Sequence, residues 1–393
     1  MTIILFDDSV RESLLPLTFT RPVAALRVGI LTIAEKWAEY LQGDIAYLTA
    51  DYLQEKFRLS ISSQNIFING SVCPDDALLE AVSGLREGEA LRQNDVLIAV
   101  KFNEHDARDF HLNIAGIKTI NYTSDLTRIV YPEDVFLKNE TELRRDFKLL
   151  SGKRPSGNLS STNTILGDNI FVEEGAVAEC STFNTLQGPV YLGKNSEVWE
   201  GCMIRGAFAL CNNSQVKMGT KIYPKTTIGP YCRVGGEINN AVIQGYSSKG
   251  HEGYLGNSVI GEWCNIGADS NNSNLKNNYK EVKLWDYSTL KYRNTGLQFC
   301  GLIMADHSKC GINTMFNTGT VAGVCANVFG AGFPPNFVPD FSWGGQQKME
   351  TYFPEKAMET IGRVFLRRNR IFDDTEKQIL AKVFDLTKQY RNF

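Results

Sequence analysis

The chain has 393 residues, 43% of them hydrophobic and 22% charged, enough for two or three ordinary globular domains. A formal net charge of −3 removes the electrostatic case for nucleic acid or an anionic membrane as a partner. No apolar run approaches the ~18 residues that span a bilayer, and the acidic start Met1-Thr-Ile-Ile-Leu-Phe-Asp-Asp is not a signal peptide. The nine cysteines, with no CxxC pair, read as reduced core residues of a cytoplasmic protein.

Residues 1–155 alternate strand and helix signals. Ile3-Ile-Leu-Phe is a short apolar strand followed by Asp7 and Asp8. Residues 31–41 have the apolar spacing of a helix, and Ile66-Phe-Ile-Asn-Gly70 reads as a buried strand ending in a turn. Asp75-Asp opens a helix with an acidic first turn, and Asp95-Val-Leu-Ile-Ala-Val is another strand. The alternation predicts an α/β, Rossmann-like domain with a mainly parallel sheet. Sites in such sheets lie beyond the carboxyl ends of the strands.

The linker Ser151-Gly-Lys-Arg-Pro-Ser-Gly leads into a repeat region, residues 156–340. Eight consecutive hexapeptides open with Leu192, Val198, Ile204, Leu210, Val216, Ile222, Ile228 and Val234. Four places after each opener stand Ser196, Cys202, Phe208, Ser214, Thr220, Thr226, Cys232 and Ile238, mostly small. A fixed six-residue period predicts a β-helix, with the aliphatic opener inward and the small residue at the bend. The repeat is looser before Leu192, slips phase after Val234 and resumes at Ile260 and Ile266. Residues 271–294 are polar and irregular, which predicts an excursion from the prism; regularity returns near Gly301 and runs through Val328. Residues 341–393 read as helical, with Pro354 in a first helical turn, and are expected to cap an open end of the prism.

Chemistry concentrates in the stretch from Lys249 to Lys280, where the repeat breaks. Of the four histidines, His105, His111, His251 and His307, only His251 stands in a glycine-flanked turn, two residues after a lysine and three before a tyrosine. A neutral histidine can take a proton from an amine as it attacks a carbonyl, and Lys249, Tyr254 and Lys280 are suited to holding a phosphate. Only His251 and His307 lie in the repeat region, so a three-histidine zinc site is set aside.

Lys249, Gly250, His251, Tyr254, Leu255 and Gly256, then Asn265-Ile-Gly-Ala268, Asn274 and Lys280, resemble the acetyltransferase domain of the bifunctional N-acetylglucosamine-1-phosphate uridyltransferase/glucosamine-1-phosphate acetyltransferase family. The resemblance implies a left-handed parallel β-helix, a homotrimer and active sites between subunits. It implies His251 as general base, Lys249, Tyr254 and Lys280 around the sugar phosphate, and Asn265 on the amino sugar. Ala268 would offer its amide to the thioester carbonyl of acetyl-CoA, Asn274 would sit at the junction of the two substrates, and Asn313 would face the pantetheine arm. The chain departs from the pattern at Asp269 and Ser270, which stand for Gly and Thr, and is shorter before His251 by about one coil. Gly235 replaces an expected basic residue, a charge that Arg233 or Lys217 would supply.

The opening, with Phe6-Asp7-Asp8, Leu14-Leu-Pro-Leu-Thr-Phe-Thr-Arg21-Pro and a following helix, resembles sugar-phosphate nucleotidyltransferases, in the divergent two-domain form of the bifunctional enzyme. The glycine-rich loop of that family is missing, and Arg11, Arg21 and Arg27 are its candidate substitutes on phosphate. Gly70 would sit at the nucleotide with Asp7 and Asp8, while Ser71 replaces the family's magnesium-binding Asp, so the metal ligands stay open. The expectation is an enzyme that acetylates glucosamine 1-phosphate from acetyl-CoA and transfers uridylyl from UTP, with Mg²⁺, to give UDP-N-acetylglucosamine. Transfer on a different sugar phosphate, or a scaffold with a degenerate first domain, are the alternatives.

Overall fold

The computed structural model describes every residue except His111 and Asn113, so one of the four histidines lies outside the described residues. The chain forms a Rossmann-like α/β domain, a left-handed parallel β-helix and a helical tail.

In the first part, β1 (Thr2–Phe6), β2 (Asp44–Leu48), β3 (Gln64–Asn69), β4 (Glu89–Gln93), β5 (Val96–Asn103) and β6 (Lys118–Asn121) form one sheet in the order β2-β1-β3-β5-β4-β6. Only β5 runs against the rest. Both faces of the sheet are covered, which is why Ile3-Ile-Leu-Phe is apolar without alternation. Ile3 and Leu5 join a core with Trp37 and Phe136, whereas Ile4 and Phe6 pack with Phe67, Val100 and Phe110. Helix α1 (Ile33–Leu41) starts at a Thr32 and Glu35 capping box, α2 (Asp76–Ser83) is capped by the Asp75 carboxylate, and α3 (Asp134–Ser151) closes the domain.

The β-helix has three faces of short parallel strands. All eight aliphatic openers and all eight small-slot residues are buried in its core. The small residues do more than fit the bends. Ser214 Oγ donates to the Gly229 carbonyl at 2.7 Å and accepts from Cys232 N at 3.1 Å; Ser247 repeats the pattern with Gly261 and Cys264. Each hydroxyl ties one coil to the next and satisfies backbone groups that the corner leaves unpaired.

One face carries apolar residues outward as well as inward. Phe171, Tyr191, Ala209, Val242, Val259, Ile303 and Val321 lie in register along it and are buried against the first domain. Asn139 of α3 holds this seam: its Oδ1 accepts from Gly29 N and Thr227 Oγ1, and its Nδ2 donates to the Lys225 carbonyl.

The phase loss after Val234 is a shortening of the coil, not a break. Val216 and Val234 stack 18 positions apart, while Val234 and its next partner, Lys249, stack 15 apart. After Asn272 the chain leaves as a hairpin, Lys283–Asp286 with Lys291–Asn294, and re-enters at Leu302. The tail, expected as an end cap, packs both on the side of the prism and on its last coil. Phe365 of α4 (Pro354–Arg367) stacks on Trp263 at 4.0 Å, and Phe384 of α5 (Asp374–Leu386) packs on Phe341. The final coil is closed by a short antiparallel strand, Met349–Thr351, whose Met349 packs on the core.

Candidate functional site

The third face of the β-helix stacks Gln215, Arg233, Ser248, Asn265 and Lys309 outward, one per coil. At the edge of this face the chain turns through left-handed backbone at Tyr231, Tyr246, Trp263 and His307, with φ between 53° and 62°. Asparagine, which stands at the same corner as Asn195 and Asn213, tolerates this conformation; a large aromatic pays about 1–2 kcal/mol for it. Stacking offsets the strain: Tyr231 lies on Tyr246 at 4.8 Å, Tyr246 on Trp263 at 4.2 Å, and Phe365 covers Trp263. Arg370 donates to Tyr246 Oη at 3.1 Å. The aromatic ladder thus fixes α4 beside the face.

Between the ladder, the face and the helix lies a cavity of about 460 Å³. It brings together His251, Asn265, Arg233 and Lys217 with Lys309, Arg367 and Arg368. Five cations line it and, among the described residues, no carboxylate does. Burial and then the nearby Arg233 and Arg367 lower the Arg368 pKa; burial and then Arg233 lower that of Lys217. Lys217 is further held over the Trp199 ring at 3.5 Å. Glu197 opposes this only partly at Lys217, and like charges so crowded make a site for an anion. Lys309, Arg367 and Arg368 are absent from the sequence reading. The sequence signal for the two arginines is the basic run Arg367-Arg-Asn-Arg in the helical tail.

Other expected members are elsewhere. Lys249 occupies an opener position in register with Val234, so its side chain points into the prism. It is 2% exposed, and its Nζ donates to the carbonyls of Gly235 and His251, both at 2.9 Å. It therefore braces the His251 turn from inside and does not meet a phosphate. Tyr254 lies on the adjoining face, in register with Glu237, where its hydroxyl accepts from Asn274 Nδ2 at 3.0 Å. Asn274 also donates to Asn257. Lys280 is exposed in the excursion, which carries it off the wall. Asn313 turns a left-handed corner with φ 56°, and its N–H donates to the Ala268 carbonyl at 2.8 Å. None of Tyr254, Asn274, Lys280, Ala268 and Asn313 lines the cavity. His307 is buried and its imidazole is pushed well below the usual range by desolvation, a core residue.

In the first domain the expected nucleotide residues are engaged by the protein itself. Asp7 accepts from Val23 N at 2.9 Å and Thr49 Oγ1 at 2.5 Å and pairs with Arg11; burial pushes its carboxyl up to about 6. Arg11 also donates to the Thr18 carbonyl and to Tyr52 Oη. Asp8 accepts from Val10 N, from Asn69 Nδ2 at 2.8 Å and from Arg128 at 3.1 Å. Arg21 is buried between Asp306 and Glu262 of the β-helix, so it docks the two domains instead of facing a nucleotide. Arg27 pairs with Glu35. Gly70 is closely packed, since a Cβ there would lie 3.1 Å from the Phe6 carbonyl oxygen. Among the described residues no cluster of three metal-ligating side chains exists. With Asp7 and Asp8 both held by arginines, these strand ends do not offer the open carboxylates that Mg²⁺ takes.

Residues 3–155 match the family model for sugar nucleotidyl transferases. This marks the first domain as of sugar-nucleotidyl-transferase type and supports a transferase. Comparison with curated proteins finds no match. Among solved structures, the chain is similar to UDP-N-acetylglucosamine acyltransferase from Francisella novicida, at 12% identity and a TM-score of 0.31, over 58% of this chain and 90% of that one. The Arabidopsis UDP-N-acetylglucosamine acyltransferase gives 14% identity and 0.23, over 59% and 91%. A hexapeptide transferase family protein from Anaplasma phagocytophilum gives 15% and 0.15, over 61% and 95%. Among the described residues no helix is long and apolar enough to cross a membrane.

Proposed function

We propose that the β-helix transfers an acyl group, acetyl from acetyl-CoA, to the amine of a sugar phosphate at the His251 cavity. The observation that carries this reading is the meeting of one imidazole with five cations, and no lining carboxylate among the described residues, on a β-helix wall. Arg233, Lys217, Arg367 and Arg368 would hold the phosphate of acceptor or donor. His251 would take the amine proton as nitrogen attacks the thioester carbonyl, and the coenzyme thiolate would leave and recover a proton. Asn265, beside His251 on the same wall, would orient the amino sugar. Glucosamine 1-phosphate is the proposed acceptor, and a homotrimer the proposed assembly, with Tyr254 and Asn274 on the adjoining side, and Lys280 in the excursion, where a neighbouring copy would face them.

The first domain would add uridylyl from UTP to the acetylated product, giving UDP-N-acetylglucosamine; the family match supports this. The internal pairing of Asp7, Asp8, Arg11 and Arg21 favours a second reading, a domain of the same fold retained as a docking partner. Release of thiol from acetyl-CoA in the presence of glucosamine 1-phosphate tests the first step. Release of pyrophosphate from UTP and N-acetylglucosamine 1-phosphate tests the second. No thiol release with any amino-sugar phosphate would sink the acyl-transfer reading.

A further inference from the structure

A second cavity, of about 620 Å³, lies between the excursion hairpin and the last coils of the prism and shares no residue with the His251 cavity. Its ammonium groups are Lys276 and Lys283, its carboxamides Asn277, Asn278, Asn317 and Asn336, and no carboxylate lines it among the described residues. The hydrogen bonds already made leave a complementary pair open. Asn317 Oδ1 accepts from Thr318 N, so its amino group is left to donate; Asn336 Nδ2 donates to the Thr318 carbonyl, so its oxygen is left to accept. A sugar hydroxyl both donates and accepts, and such an amide pair answers it on both counts.

The wall is stiff. Tyr292, which lines the cavity, meets Trp285 edge-on at 5.4 Å, and Trp285 stacks on Phe337 at 4.4 Å, next to Asn336. Lys276 Nζ donates to the Glu281 carbonyl at 2.9 Å, which anchors one cation, while Lys283 is exposed. The half-exposed Tyr292 ring offers an apolar surface for the C–H side of a pyranose.

We propose that this cavity binds a phosphorylated monosaccharide, with Lys276 and Lys283 on the phosphate and Asn317 and Asn336 on hydroxyls. The inference is independent of acyl transfer at His251. Calorimetric titration of the full chain decides it, with N-acetylglucosamine 1-phosphate, N-acetylglucosamine and inorganic phosphate as probes. The R367A/R368A variant serves as background, so that binding at the His251 cavity is weakened about a hundredfold. In that background the sugar phosphate still binds. Adding K276Q/K283Q weakens it about tenfold or more, and adding N317A/N336A instead weakens both the sugar phosphate and the neutral sugar. Unchanged affinity in K276Q/K283Q, or no binding of the sugar phosphate in the R367A/R368A background, overturns the proposal. Inorganic phosphate binding as tightly as the sugar phosphate overturns the sugar assignment. Thiol release, measured in the same variants, reports on the His251 reading separately.

Discussion

The strand ends of the first domain and the wall around His251 are both rich in charge, yet they differ in how the charge is answered. Asp7 and Asp8 each meet an arginine, and Arg21 meets Asp306 and Glu262. Around His251 no carboxylate lines the cavity among the described residues, and Glu197 opposes the cations only at Lys217. Charge that is paired inside the fold has been used for stability or docking; charge left unpaired in a cavity is available to a ligand. Residue type alone does not separate the two cases, and partner geometry does.

The sharpest test of the comparison is His251→Ala. Loss of a positioned base costs about 10²- to 10⁴-fold in rate, and thiol release from acetyl-CoA measures it. An unchanged rate would remove His251 from the chemistry. On the other side, Arg21→Ala is expected to act on stability. It leaves the buried Asp306 and the partly buried Glu262 without their cation, at about 3–5 kcal/mol, read by urea unfolding. If Arg21→Ala instead leaves stability intact and weakens UTP binding, the docking assignment is wrong. Smaller again, Arg367→Ala or Arg368→Ala is expected to raise the KM for an anionic substrate about tenfold each, with kcat nearly unchanged, since a charge-assisted contact is worth roughly 1.5 kcal/mol. A matching loss in kcat alone would place the arginines at the reacting atoms.

Much of this was legible in the sequence, for reasons that show why the rest was not. The hexapeptide openers and small slots predict the prism because each coil imposes the same inward pattern, and all sixteen residues named for it are buried. The docking face was missed because the repeat was read only for its inward residues. Tyr191, Ala209, Val242, Val259, Ile303 and Val321 are outward residues of one face, and their apolar character marks what covers it. Arg367 and Arg368 were missed for a different reason: they reach His251 only through the stacking of Phe365 on Trp263, a contact about a hundred positions apart in the chain. Lys249 was misplaced because a coil shortened from 18 to 15 residues hides that it continues the column of openers.

Lys249 gives the finest test, because it is a third case: a buried cation answered by carbonyls instead of carboxylates. Desolvation dominates there and pulls its pKa down to about 8, with Glu252 and Asp269 only partly opposing. In the unfolded chain a lysine titrates near 10.4. Between about pH 8 and 10 the unfolded state therefore binds more protons than the folded one, so stability rises with pH through that window. Below it, the buried charge costs the fold roughly 3 kcal/mol, the full difference between the two titrations. The cleanest readout is the difference between wild type and Lys249→Met in urea unfolding at pH 7 and pH 9.5, since other lysines and tyrosines cancel in it. Wild type is expected to gain on the variant as pH rises, while His251-dependent thiol release falls modestly in Lys249→Met because the His251 carbonyl loses its brace. A difference that stays flat with pH would mean that the ammonium is solvated, and would return Lys249 to the surface role its neighbours play.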